Sequence, residues 1–165
     1  MIRGRISSDI QDLNRLHAVH KWIPDETMIR PFVAVLDNKK IFSQYVLTSW
    51  ASSRDFILDT HFKYRMAENE LGLLYVMDSI DAEIAEWVLM ESLFPYAVPE
   101  GVHHSVLWNS YYDYFADFSD VVINNKITEQ LRGELGHDNF DFCWYVNPKP
   151  SVPELWHCQV FWKCL

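Results

Sequence analysis

Three aromatic, apolar runs of strand length close this chain, and they constrain it more than anything that precedes them. They are Val102 to Trp108, Phe140 to Asn147 and Leu155 to Trp162. A polar, helix-like segment separates the first two, and a turn rich in proline (Pro148, Pro150, Pro153) separates the last two. Runs of this length and character belong in a core. His104, Asn147, His157 and Gln159 are then the anomalies. Burying a polar group without a partner costs about 1–3 kcal/mol, so each of the four needs a partner or a task.

Strand alternation sorts these residues by face. Val102, His104, Val106 and Trp108 share one side of the first run, while His103, Ser105 and Leu107 share the other. In the second run Phe142, Trp144 and Val146 oppose Asp141, Cys143, Tyr145 and Asn147. In the third, His157, Gln159 and Phe161 oppose Trp156, Cys158, Val160 and Trp162. An antiparallel hairpin of the last two runs turns Asn147, His157 and Gln159 toward one cavity, and Ser151 in the connector adds a hydroxyl or a backbone N–H. A histidine whose one nitrogen is held by the protein presents the other as base or nucleophile. A glutamine beside it can donate to an oxygen that gains charge. The plain alternative is that His157 is a core histidine with its bonds satisfied.

Other chemistries find less support. The chain shows no helically spaced carboxylate pair, no glycine-rich phosphate loop and no nucleophile elbow. Metal binding through His157, Cys158 and Cys143 is disfavoured, because His157 and Cys158 point to opposite faces of one strand. His17 and His20 share a helical face but lack a third ligand nearby. No metal and no cofactor is assigned.

The 165 residues fit one domain with one core, and 49% apolar and 15% aromatic content marks a globular chain. A formal charge of −9 argues against a broad nucleic-acid surface. Three cysteines make no even disulfide framework, and two lie inside apolar runs. Neither a membrane-length apolar span nor an apolar signal core follows the charged start, so the expected setting is intracellular, in the cytoplasm.

Before residue 94 the pattern reads mostly as helix. Residues 7–21 carry a capping Ser and an apolar stripe that stops at Pro24. Residues 31–50 fit either a hairpin about Asp37-Asn38 or a helix with Ile41, Tyr45 and Thr48 on one face. Asp55 to Met66 reads as helix, Leu71 to Met77 as a short strand, and Ser79 to Phe94 as a helix on the 3.6-residue spacing of Ile80, Ile84, Trp87 and Val88. Residues 94–165 read as strand, helix (Thr128 to Leu135, capped by Gly136), strand, strand. The expectation is a single-domain α+β fold with a mainly antiparallel sheet and helices on one face.

Several of these residues carry a resemblance. Phe94-Pro95-Tyr96, the strand with His104 and Trp108, the aromatic strand ending in Asn147, then Ser151, Val152 and His157 resemble a fungal family named after N-acetylglucosamine-induced proteins. The likeness spans roughly the last 75 residues, and Gln159 stands where that family tends to have a second histidine. More distantly, the same segment is similar to the C-terminal half of histidine-triad proteins, which bind nucleotides and use the middle histidine to attack phosphorus. That resemblance aligns His157 with the middle histidine and Gln159 with the third. Leu155 stands in place of the first, and a proline-containing connector replaces the glycine-serine loop. It implies a phosphoryl or nucleotidyl transferase or hydrolase acting on a small phosphorylated ligand. His157 would be nucleophile, Gln159 the partner of the leaving oxygen, and Asn147 and Ser151 positioning residues. Trp108 and Trp144 would be aromatic contacts, and His104 a supporting or acid–base group. The rival expectation is a non-enzymatic protein, a homodimer or a partner of another protein, that uses its seven Trp and eight Tyr as interface anchors.

Overall fold

A computed structural model describes residues 33–96, 98, 100–147 and 150–165. The helix expected over residues 7–21, with His17 and His20, lies outside them. The described residues form helices α1 (Val33–Ser49), α2 (Ser53–Thr60) and α3 (Asp120–Leu135) and strands β1 (Met66–Glu68), β2 (Leu74–Val76), β3 (Trp87–Glu91), β4 (His103–Asn109), β5 (Phe140–Tyr145) and β6 (His157–Cys164). β1 and β2 form a small antiparallel hairpin, and the other four make one sheet in the order β3-β4-β6-β5. Every pairing in that sheet is antiparallel. The fold is α+β, as the sequence predicts, and the C-terminal part follows the expected order β4, α3, β5, β6.

α3 explains one face of the sheet. The Ser119 side chain accepts the Val122 N–H at its start, and Gly136, at φ 74°, ends it in the left-handed conformation that glycine adopts without strain. Ile123, Ile127 and Leu131 recur once per turn and are fully buried. They press on Leu107, Phe142, Trp144, Cys158, Val160 and Trp162. Each buried side chain of this kind contributes about 1.5–3 kcal/mol. α1 and α2 cover the opposite face, where Val46, Phe56, Ile57 and Leu58 meet Val106, Trp108, Val152 and Leu155. Helices from the first half therefore lie on one face as expected, and α3 occupies the other.

In the first half the structure decides between two open readings once and departs from the expected elements twice. Of the two readings open for residues 31–50, the helix is the one found, over Val33–Ser49. The inward residue there is Val46, with Phe42 one turn earlier packed edge-on to Phe56 and Phe94. Ile41 and Tyr45, which share a helical face with Thr48, are 66% and 56% exposed, so that face is the outer one. α2 stops at Thr60 rather than Met66, because Lys63 takes φ 61° and the chain turns out of the helix into β1. The helix expected over Ser79 to Phe94 is absent, and among the described residues before 94, where a mostly helical stretch is expected, helix is confined to Val33–Ser49 and Ser53–Thr60. The Asp81 carboxylate accepts the Glu83 and Ile84 N–H groups in a local turn, and Trp87–Glu91 pairs with Ser105–Asn109. Within β3, Trp87 and Leu89 pack toward α3 while Val88 packs toward the other core. The two-residue period coexisted with the helical one, and a waiting strand partner selected it.

Candidate functional site

A cavity of about 250 Å³ lies between α1, α2 and the sheet. Its floor is the face of β4 and β6 that carries His104, Val106, Trp108, His157 and Gln159. The register sets Trp108 beside His157 and Val106 beside Gln159, so the polar residues of the two central strands converge. Asn147 and Ser151 close one side. Lys39, Phe42 and Val46 of α1, and Ser53, Phe56 and Ile57 of α2 with His61 just past its end, line the rest.

His157 is 5% exposed and stacks on the Trp108 indole, centroids 4.3 Å apart. Its Nδ1 lies 2.9 Å from the Leu155 carbonyl oxygen. A carbonyl only accepts, so Nδ1 carries the proton and Nε2 holds a lone pair. Nε2 has no hydrogen-bond partner among the described residues. Burial lowers the imidazole pKa; the bond to Leu155 opposes that, and the charge of Lys39 adds to it. The ring is therefore neutral near pH 7, with an unprotonated nitrogen at the cavity.

His104 is the reverse case. Its Nδ1 accepts the Tyr96 N–H at 3.0 Å, so the proton sits on Nε2 and is donated to Gln159 Oε1 at 2.6 Å. Desolvation, against a smaller opposing effect of Gln159, lowers its pKa to about 4. The ring also stacks on Phe161 at 4.7 Å. With both nitrogens engaged, His104 orients Gln159, whose amide N–H groups are left to donate at the cavity. Of the two roles read from sequence for His104, this geometry fits the supporting one.

His61, which sequence reasoning gave no site role, supplies a third ring. Thr60 donates its hydroxyl proton to the Phe56 carbonyl at 2.8 Å, and its oxygen lies 2.9 Å from His61 Nδ1. That oxygen can only accept from the ring, so His61, like His157, presents an unprotonated Nε2. The imidazole meets the Trp108 ring edge-on at 5.9 Å. Desolvation and then the charge of Lys63 lower its pKa to about 4. Its placement follows from the turn at Lys63, where the Lys63 N–H returns to the Asp59 carbonyl and the Tyr64 N–H to that of Leu58.

The structure thus brings together His104, Trp108, Asn147, Ser151, His157 and Gln159. It does not bring Trp144. That indole is fully buried on the α3 side, its Nε1 donating to Asn124 Oδ1 at 2.8 Å. The assignment of Trp144 to ligand contact is corrected on parity: it alternates with Cys143 and Tyr145 and points away from the face that Asn147 continues. Cys143 and Cys158 are buried thiols, and desolvation holds both above the ordinary range, Cys143 at about 12. Among the described residues no three His, Cys, Asp or Glu side chains group as metal ligands. Among them, too, no helix is long and apolar enough to cross a membrane.

No family model matches this chain, and no curated protein does. Among solved structures it is similar to "Crystal Structure of HTC1", at 17% identity over 82% of this chain and 76% of that one, with a TM-score of 0.45.

Proposed function

We propose that the cavity is the active site of a histidine-dependent phosphoryl or nucleotidyl transferase or hydrolase acting on a nucleotide or sugar phosphate. The observation that carries this reading is the His157 ring. Its Nδ1–H is anchored on the Leu155 carbonyl, and its unprotonated Nε2 sits at a cavity. In the proposed reaction Nε2 attacks phosphorus and the leaving oxygen departs with the bonding pair. The ring becomes a phosphorylated imidazolium, and the Leu155 carbonyl stabilises its positive charge through Nδ1–H. Gln159, held by His104, donates to the departing oxygen, and that oxygen takes its proton from solvent. Asn147 and Ser151 position the phosphoryl group, and Trp108 holds the nucleophile's ring in plane. The pattern of Asn147, Ser151, His157 and Gln159 that resembles histidine-triad proteins supports the same roles.

The test is phosphorus and proton NMR of the pure protein against nucleotides, nucleotide sugars and sugar phosphates, with His157→Ala beside it. Turnover of one compound, reduced by about 10³-fold or more in the variant, is the expected outcome. If nothing binds or turns over while light scattering shows a dimer, the reading fails. The exposed aromatic surface near Phe115, 84% exposed, then becomes the functional feature.

A further inference from the structure

The cavity holds a second imidazole whose open nitrogen the proposed nucleophilic step leaves unused. His61 and His157 reach the cavity from different elements, one just past α2 and the other on β6. Both rings touch one indole, 5.9 and 4.3 Å from its centroid, so they face one stretch of cavity about Trp108. Each has Nδ1–H fixed on a protein oxygen, Thr60 Oγ for His61 and the Leu155 carbonyl for His157, which leaves two lone pairs on rings that line one cavity. Two nucleophiles are redundant in a phosphoryl transfer. A nucleophile and a base are complementary, because a two-step transfer needs the phosphorus attacked first and a water or hydroxyl deprotonated second.

We propose that His61 is the general base of the second half-reaction, in which water or an acceptor hydroxyl releases the phosphoryl group from His157. The inference rests on the reading of His157 given above. In the hydrolytic case the water oxygen forms a bond to phosphorus as the phosphorus–Nε2 bond breaks. The bonding pair returns to His157 Nε2, and the neutral ring keeps its Nδ1–H. The water proton passes to His61 Nε2, phosphate leaves as the dianion, and the His61 imidazolium returns its proton to solvent. No other reactant is needed. Thr60 fixes which nitrogen of His61 is the base, since its own proton is committed to the Phe56 carbonyl. The groups facing His61 are the apolar rings of Phe56 and Trp108 and the cation Lys63. They keep the ring neutral and so ready to accept.

The experiment uses phosphoramidate, a small donor that phosphorylates imidazole directly, with phosphorus NMR on the full chain. Wild type, His61→Gln, Thr60→Val and His157→Ala are compared after their folding is checked by circular dichroism. The expected result is an acid-labile phosphohistidine signal that His157→Ala lacks and that decays about 10²–10⁴-fold more slowly in His61→Gln. Added imidazole should restore the decay of His61→Gln, which a purely structural role for His61 would not allow. Thr60→Val retains the ring but frees its tautomer, and it should slow the decay by a smaller factor. Decay in His61→Gln at the wild-type rate would overturn the role of His61 and leave His157 as nucleophile. Absence of any signal that depends on His157 would overturn both.

Discussion

The two faces of the four-stranded sheet are built from the same strands and share almost nothing else. Toward α3 the residues are Leu107, Phe142, Trp144, Cys158, Val160 and Trp162, closed over by Ile123, Ile127 and Leu131. Toward α1 and α2 they are His104, Val106, Trp108, His157 and Gln159, and the helices leave a cavity above them. One face is sealed by apolar side chains that interlock once per helical turn. The other holds two imidazoles and an amide, each oriented by a hydrogen bond, and its covering helices meet it through rings (Phe42, Phe56) that leave space beside them and through a third imidazole, His61. Successive residues of β4 and β6 alternate between these tasks, so one face carries stability and the other carries polar groups whose desolvation works against it.

The largest effect should come from breaking the sealed face. Trp144→Ala removes a fully buried indole and its bond to Asn124, and should cost about 3–5 kcal/mol of stability. Measured by denaturant unfolding, a loss under about 1 kcal/mol would mean that this face is not a tightly packed core. At temperatures where the variant remains folded, binding of any ligand found for the cavity should be unchanged, since Trp144 does not line it.

Acid should separate the faces next. His104 titrates near 4 when folded, from desolvation first, against 6.5 when free. Between those values the unfolded chain binds the extra proton, so stability falls as pH drops from 6.5 to 4 and levels off once the folded ring is protonated too. His104 alone should contribute on the order of 3 kcal/mol to that loss, and burial gives His157 a shift of the same sign. On the sealed face Cys158 titrates only at high pH, so that face adds no slope in this window. In His104→Gln the stability–pH slope between 6.5 and 4 should shrink by up to one proton. An unchanged slope would mean that His104 is solvated and does not hold Gln159.

How much of this was legible in the sequence follows the same division. The three C-terminal strands, their facing and the gathering of His157, Gln159 and Asn147 were readable, because a two-residue period flips each neighbour and leaves few options for polar residues in apolar runs. The stretch around Trp87 was not. Ile80, Ile84, Trp87 and Val88 satisfy a helical period, and only pairing with β4, a contact far along the chain, favours the strand. His61 was missed for a related reason. The sequence places it inside a helix expected to run from Asp55 to Met66, and what makes it a cavity group is the helix ending one residue earlier, at Thr60, together with the direction of one hydroxyl proton. Trp144 was misassigned against the parity that the sequence itself displays, on the strength of its being aromatic.

The smallest effect tests the turn that delivers His61 to the open face. Lys63 is the residue other than glycine that adopts positive φ among the described residues, at 61°. A β-carbon in that conformation costs roughly 1–2 kcal/mol, while glycine loses about 0.5–1 kcal/mol more chain entropy on folding. Lys63→Gly should therefore stabilise by about 0.5 kcal/mol, a rise of about 1–2 °C in Tm for a chain of this size. It also removes the cation that, after desolvation, holds the His61 pKa at about 4. The His61 imidazole signal in a proton NMR titration should then move upward but stay below 6.5, because burial is the larger cause and remains. The variant touches the open face alone, so the sealed core should show no change in amide exchange. A destabilised variant would mean that Lys63 makes a contact worth more than its strain. A His61 midpoint that does not move would mean that the ring is shielded from Lys63, leaving desolvation by Phe56 and Trp108 as the whole reason that His61 stays neutral.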